Sequence, residues 1–598
     1  MSIHLESETQ LSVTVFAYCC GSETDHTLDR RLVSLLSEAN LDPTVVLCNG
    51  ILKKSCPVMF ADGVSTSNSL VKKLTCARCK LKSKRWQQDQ QNIRFITIES
   101  LLQTKYRSAR AVRLAIRHMV YKLREDTALY RKLLYNDLLR VKCDIRTLEQ
   151  EHQSSIQRSL ESSSVMKLAL EAGIPRQTVL VHNALYGTNA MIWDFAQANT
   201  LDICSYYGSF NPVDRTRLVH IERVALPQLD QLKLGVWRHL RDNVLSHAST
   251  KRVTDFLKLG LTVNRSFQFS KPPATGRDVL EKFQIDHSTR VVLALFSSPD
   301  ETISAFEVGV FCPPNPAKVR SAPLDFLRLV MDVARALPDK LFIVRLHPRM
   351  GRTARERPES PYLGEVVSLL SAAPPNVLID DPSDEISLFD VAQFADVALS
   401  MGTTAAIQIG AMGVPIVNCS PDFGAPYPLD LYEDIATDPL SLAEILGRVS
   451  RFSDIALVTR RFRFLDYYLS GRGVRLVPDE EVDEHWHIDD SGYPLSSLKS
   501  RIAVTIRQKL RDAVYLKLVL LLIREIAIEP QNTKCGSSLE SQDMVRKMIL
   551  QKTTLDEQLL TVNRHNSDDV DGTDTEHVSL AVNELRDLAG WKVHYPKV

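Results

Sequence analysis

Short apolar runs recur along this chain, each followed by a polar turn and then by residues with helical spacing. Val13 to Tyr18 reads as a buried strand, followed by a polar turn over 21–26, a helical pattern over Leu28 to Ala39 and a strand over Thr44 to Leu47. That is a βαβ opening. From Ile98 to about Glu151 apolar positions keep helical spacing while charges fill the other face, which predicts long helices packed on the first unit. A strand over Thr178 to Val181, a helix over Thr188 to Ala198 and a strand over Ile203 to Tyr207 come next, with a helical connector running to Gln284. Beyond it, strands over Val291–Leu295, Leu341–Leu346, Val377–Ile379, Val397–Ser400 and Pro415–Asn418 alternate with helical segments. Such alternation predicts a doubly wound parallel sheet.

The expected fold class is therefore α/β, with two Rossmann-like doubly wound domains facing a cleft, extra helices and a polar C-terminal tail. The expected boundaries are 1–285, 286–485 and 486–598, the last a helical extension with a polar tail. A chain of 598 residues is too long for one core. Its 73 Lys and Arg against 72 Asp and Glu leave a net charge of +1, so no global field draws it to nucleic acid or a membrane. Binding must be local. The start MSIHLESETQ lacks a signal-peptide pattern, and the 11 cysteines are unevenly spaced, so a cytoplasmic location is expected. Ala513 to Ile523 is interrupted by Lys517 and falls short of the ~20 residues that span a bilayer, so no transmembrane helix is expected. The stretch from Cys535 to Thr575 is polar and carries an acidic run at 567–574, with a terminal helix expected over Val578 to Leu588.

Ligands of open parallel sheets sit beyond the C-terminal ends of the strands. Three segments of the second unit fall there: Ser297-Ser298-Pro299-Asp300-Glu301, Arg345-Leu346-His347-Pro348-Arg349 and Ser400-Met401-Gly402-Thr403-Thr404. Gly402 permits a tight turn, and Thr403 and Thr404 open a helix with free amides and hydroxyls, a setting that suits phosphate. His347 can donate a ring N–H to a phosphate oxygen, with Arg345, Arg349, Arg352 and Arg355 as nearby positive charge. Taken singly, each segment is also an ordinary cap or turn.

These segments, with Ala395 to Thr404 and the closing Gly413-Val414-Pro415-Ile416-Val417, resemble the capsule polysaccharide biosynthesis glycosyltransferases of GT-B fold, which include bacterial Kdo and sialic acid transferases with a His-Pro motif. The likeness covers about residues 290–420, and extends weakly to Asn183–Ala190 and Tyr207-Gly208. It implies a glycosyltransferase whose second domain binds a CMP-, UDP- or GDP-linked sugar through Ser297, Ser298, Arg345, His347, Pro348, Ser400, Gly402, Thr403, Thr404 and Gln408. Relatives often carry Glu where this chain has Gln408, which can bond a ribose but cannot hold charge. The first domain would face a surface-polysaccharide, glycan or lipid-linked acceptor and supply the base, with Glu23, Asp25 and His26 as candidates and Glu301 as another. No Asp-x-Asp follows a strand, so no cofactor or metal is expected for catalysis. Polyol-phosphate transferase, sugar-nucleotide epimerase and non-catalytic nucleotide-sugar scaffold are the alternatives.

Cys48, Cys56, Cys76 and Cys79 have the ligand number for a structural zinc, although their spacing is irregular and free thiols are the plain alternative. Lys72, Lys73, Arg78, Lys80, Lys82, Lys84 and Arg85 form a basic stretch up to Trp86 that is either a solvated loop or a peripheral contact with lipid phosphates at the inner face of the membrane. The amphipathic run Leu510 to Ile526 is a second anchor candidate. A nucleic-acid module is disfavoured, because only Trp86 could stack on bases there.

Overall fold

The computed structural model describes most of residues 12–476, together with 574–588 and 591. The first unit contains strands β1 (Ser12–Phe16), β2 (Asp42–Leu47), β3 (Arg94–Thr97), β4 (Thr178–His182), β5 (Asp202–Gly208) and β6 (Leu218–Glu222). The second contains β7 (Arg290–Leu295), β8 (Lys340–Arg345), β9 (Val377–Asp380), β10 (Ala395–Ser400), β11 (Ile416–Asn418) and β12 (Asp434–Ile435), and a last strand, β13 (Gly473–Arg475), follows. Buried residues run continuously through β1, β4 and β7, as a parallel strand covered by helices on both faces requires.

The second sheet has the order β12-β11-β10-β7-β8-β9, with every pairing parallel. The first has the order β13-β6-β5-β4-β1-β2-β3, parallel from β5 to β3, with β6 antiparallel to β5 and β13 antiparallel to β6. In each unit the chain builds outward from its first strand, returns, and builds the other way. The reversal falls between β1 and β4 and between β7 and β10. Two Rossmann-like α/β units in tandem are thus present as expected.

Four strands, β3, β6, β12 and β13, lie where the sequence pattern predicts none. β3 is a four-residue edge strand whose residues are only partly buried, so it lacks an apolar run. β6 was hidden in the expected helical connector because His220 and Glu222 interrupt its apolar residues; both are nevertheless buried, His220 stacked on Tyr207 with ring centroids 4.9 Å apart.

The units also exchange segments across the expected boundaries. Trp237, Val253, Leu257, Val279 and Phe283 share one core with β7, β10 and the helix Thr404–Ala411, so residues before 285 pack into the second unit. In return, β13 completes the first sheet from within the stretch assigned to the second. The terminal helix Asp574–Leu588 packs on the helices His247–Thr262 and Ile455–Leu469, and its Arg586 donates to the Met412 carbonyl at 2.8 Å. It belongs to the second unit rather than to a separate extension. The expected features at 510–526 and 535–573 lie outside the described residues.

Under the helix Thr404–Ala411, Arg461 is fully buried and donates to the carbonyls of Leu431 at 2.8 Å and Gly410 at 3.0 Å, to Ser453 Oγ at 2.6 Å and to Glu433 at 2.7 Å. Gly410 is required by this approach, since a Cβ there would lie 3.0 Å from Arg461 Nε and 2.9 Å from Ile416 Cδ1. Removing one partner of a buried ion pair strands the other charge. Arg461→Met is therefore expected to lower stability by about 3–5 kcal/mol in urea unfolding, with partial recovery when Glu433→Gln is added. A loss under about 1 kcal/mol would show that the network bears little of the helix's stability.

Candidate functional site

At the reversal point of the second sheet, Leu295 is in register with Arg345 on one side and Ser400 on the other, so three loops leave β7, β8 and β10 at one level. The loops after β8 and β10 are two strand spacings apart, roughly 10 Å, a span that a phosphate-bearing ligand bridges. Gly402 takes the left-handed conformation (φ 74) that an L-residue with a Cβ rarely adopts. The hydroxyl of Ser400, fully buried, accepts from the amides of Gly402 at 3.1 Å and Thr403 at 3.4 Å. Thr403 Oγ1 caps the helix by accepting from the Ala405 amide at 3.3 Å, and the Thr404 hydroxyl pairs with the Tyr427 hydroxyl. Of the Thr403 and Thr404 amides expected to be free, that of Thr403 is thus turned onto Ser400, as is that of Gly402. The Thr404 amide at the helix start has no acceptor among the described residues.

His347 ends the β8 loop half-buried, and Pro348 opens the single turn Pro348–Met350 that follows it. Its Nδ1 accepts the Arg349 backbone N–H at 3.2 Å, so the neutral ring carries its proton on Nε2. Burial, reinforced by the cations Arg349, Arg345 and Lys142, pushes its pKa down to about 3. The ring is a neutral donor at physiological pH. Ser298 is buried and Ser297 half-buried at the head of the helix Pro299–Glu307, while Gln408, 4% exposed, sits inside the helix that begins at Thr404.

The arginines do not form the cationic cluster expected around a phosphate. Arg345 is bound to Asp380 and to the Ile386 carbonyl, at 3.1 Å for the latter. Arg349 is 1% exposed and donates to Ser298 Oγ at 3.2 Å and to the Leu139 carbonyl of the first unit, with Glu301 at 3.5 Å. Arg352 is exposed and pairs with Glu359 at 2.9 Å, and Arg355 lies outside the described residues. Lys142 answers Arg349 from the other side: its buried ammonium donates to the carbonyls of Arg349 and of Gly351, the latter at 2.9 Å. These cations serve a clasp between units. Glu301, a candidate base, lies 3.5 Å from Arg349 at the same clasp with its side chain 54% exposed.

Asp300 was quoted in the sequence motif without a role. It is 4% exposed, accepts from Ser360 Oγ at 3.0 Å through Oδ1, and leaves Oδ2 buried without a partner among the described residues. Burial raises its pKa to about 6, against the opposing pull of Arg349.

At the reversal point of the first sheet, Asp25, on the helix Glu23–Glu38 after β1, meets His182, which ends β4. His182 Nε2 lies 3.9 Å from Asp25 Oδ1, both half-buried. Burial lowers the His182 pKa, Asp25 raises it and Arg215 lowers it further, with a net downward shift. Beneath them, the Tyr206 hydroxyl donates to the buried Asp29 at 2.6 Å, and burial raises the Asp29 pKa well above the usual carboxylate range. Sequence reasoning missed His182 because a histidine closing an apolar strand shows no motif; only the strand order brings it to Asp25. His26 is not part of this group: it is 3% exposed and edge-on to the buried Trp86, centroids 5.4 Å apart. Glu23 begins the helix, and its side chain lies outside the described residues.

The helix Tyr135–Val141 joins the two edges. Tyr135 stacks on Tyr186, just after β4, with centroids 5.6 Å apart, and the same helix packs on Pro299–Glu307 of the second unit.

Cys48, Cys56, Cys76 and Cys79 gather in one corner of the first unit, close enough that Cys48 feels Cys56 and Cys79, and Cys76 feels Cys79. Burial pushes the Cys48 thiol up to about 12, and Cys48 Sγ accepts from the Leu52 amide at 3.4 Å. Among the described residues no three His, Cys, Asp or Glu side chains are grouped so as to hold a metal ion.

No family model and no curated protein sequence matches this chain. Solved structures that align with it include the beta Kdo 2,4 transferase KpsC of Thermosulfurimonas dismutans, at 12% identity, covering 48% of this chain and 79% of that one, TM-score 0.28. The UDP-GlcNAc 2-epimerase of Methanocaldococcus jannaschii, in complex with UDP-GlcNAc and UDP, aligns at 12% identity over 77% of this chain and 99% of its own, TM-score 0.27. The calicheamicin glycosyltransferase CalG4 aligns at 16% identity over 84% and 100%, TM-score 0.25. At such TM-scores none of these likenesses bears on the activity of this chain.

His347 and Asp300 give the site opposite pH signatures. Between pH 3.8 and about 6 the native chain keeps a proton on Asp300 that the unfolded chain has lost, so stability falls as pH rises. Between about 3 and 6.5 the unfolded chain holds an imidazole proton that native His347 lacks, so stability rises with pH. From about pH 4.5 to 6.5, the unfolding free energy of Asp300→Asn is expected to gain about 2 kcal/mol relative to the parent chain, and that of His347→Gln to lose about as much. Parallel pH profiles for the two variants and the parent chain would refute both assignments.

Proposed function

We propose that this chain is a glycosyltransferase that moves a sugar from a CMP-, UDP- or GDP-linked donor to a surface-polysaccharide or glycolipid acceptor. The carrying observation is the neutral His347 in the loop after β8, whose Nδ1 accepts from the Arg349 amide so that its ring proton lies on Nε2, at the same sheet edge as the Gly402–Thr404 turn after β10. The acceptor oxygen bonds to the anomeric carbon while the bond from that carbon to the donor's phosphate oxygen breaks. The leaving phosphate takes hydrogen bonds from His347 and from the helix end, which favours developing negative charge. His182, kept neutral by burial and oriented by Asp25, takes the acceptor's hydroxyl proton. This replaces Glu23, His26 and Glu301 as base candidates and retains Asp25 as the orienting carboxylate.

Saturation-transfer NMR with CMP-, UDP- and GDP-sugars tests the donor site, and product analysis with the bound donor tests transfer. His347→Ala is expected to weaken donor binding at least tenfold, on the order of one lost hydrogen bond to a charged group. His182→Ala is expected to leave donor Kd unchanged and to lower kcat by about 10²–10⁴. Unchanged Kd for every bound nucleotide in the first variant, or unchanged kcat in the second, would refute the role concerned. Gln408 motivates one second reading, a nucleotide-sugar scaffold: donor binding by the intact chain without turnover would favour it.

A further inference from the structure

Among the described residues the helix Ala109–Glu125 packs through one of its faces. Met119, Val120 and Leu123 are buried against the first unit. On the other side Leu114 is 56% and Tyr121 70% exposed, two turns apart and therefore on one face, about 10 Å from each other along the axis. Arg110, Arg113, Arg117 and Lys122 surround them, all exposed and none in an ion pair among the described residues. The helix has one carboxylate, Glu125, at its very end. Arg110, Arg113 and Arg117 follow at i, i+3 and i+7, so like charges repel along the row, and Arg110 lies in the first turn, where the helix dipole disfavours a cation. Both terms weaken the helix, and external negative charge relieves both.

We propose that this face docks on an anionic lipid bilayer, with the cations at the headgroup phosphates and Leu114 and Tyr121 entering the interfacial layer. The apolar pair decides between polyanions: a nucleic acid would take the cations but leave Leu114 in water, whereas the headgroup boundary buries it beside an aromatic ring. The basic stretch at 72–85, considered for this role from sequence, is less suited. It lies in the helix Ser69–Asp89 with Trp86 fully buried, so its aromatic anchor is unavailable. The surface is independent of the glycosyl-transfer reading, and would bring that site to a lipid-linked acceptor.

Co-sedimentation of the full chain with phosphatidylcholine vesicles, with and without about one-third phosphatidylglycerol, tests it. Binding is expected only with the anionic lipid and is weakened by about 0.5 M salt. The Arg110→Gln, Arg113→Gln, Arg117→Gln triple variant should lose at least tenfold in partitioning, roughly fivefold per cation being the upper expectation. Leu114→Ser with Tyr121→Ser should lose several-fold. Both helix variants should melt no lower than the parent, because the side chains are exposed; a Lys84→Gln, Arg85→Gln control should bind as the parent does. No binding to the anionic vesicles, equal loss in the control, or double-stranded nucleic acid binding that is as tight in the Leu114 and Tyr121 variant as in the parent would overturn the proposal.

Discussion

The reversal of strand order in each sheet is the constraint from which the rest of the molecule follows. Crossovers between parallel strands have one hand, so helices leaving in opposite directions from β7 and β10, or from β1 and β4, cover opposite faces and leave a gap at the carboxyl edge. Both gaps are occupied by side chains of chemical interest, Asp25 and His182 in the first sheet, the Ser298 and Gly402–Thr404 loops in the second, with His347 in the loop after the adjoining strand. The cavity of about 290 Å³ bounded by Arg290, Lys340, Asp396 and Arg451 lies at the opposite, amino-terminal edge of β7, β8 and β10. Its depth does not make it the better site. The strand termini there carry no crossover gap, and Asp396 is already occupied by the Val291 amide at 2.8 Å and by Arg451 at 3.4 Å.

Much of the architecture was legible because a doubly wound sheet writes itself as alternation of short apolar runs and helical spacing. The strands that were missed failed that test for physical reasons: β3 is a short edge, and β6 buries polar His220 and Glu222, which only a structure with partners such as Tyr207 can accommodate. Domain boundaries were less legible, since β13 and the helix Asp574–Leu588 are placed by long-range packing that leaves no local mark. At the site, sequence located the right loops but not the direction of their polar groups. Nothing in Ser400-Met401-Gly402-Thr403 distinguishes amides aimed at a ligand from amides folded back onto a serine hydroxyl. Likewise a cluster of arginines in sequence is not a cluster of free charges, because Asp380 lies on the strand beside Arg345 and Leu139 belongs to another unit.

That last difference changes the electrostatics of the whole crevice. Lys142 and Arg349 each place a buried cation on carbonyl oxygens of the opposite unit, and a buried charge removed from such partners costs several kcal/mol, so the clasp cannot open cheaply. The field of these cations still reaches His347, where it adds to burial in driving the imidazole neutral. The same residues that fail to face a ligand thus set the protonation state of one that can. A protonated His347 would be repelled by the clasp, whereas a neutral ring locked by the Arg349 amide offers a donor of fixed direction at no further cost in reorganisation. Because that amide belongs to the clasping residue, the orientation of the donor depends on the two units being held together. Helix Tyr135–Val141, with Tyr135 on the β4 loop and its other face on the helix after β7, makes the position of His182 depend on the same contact. Helix Tyr135–Val141 thus ties the two crevices to one another.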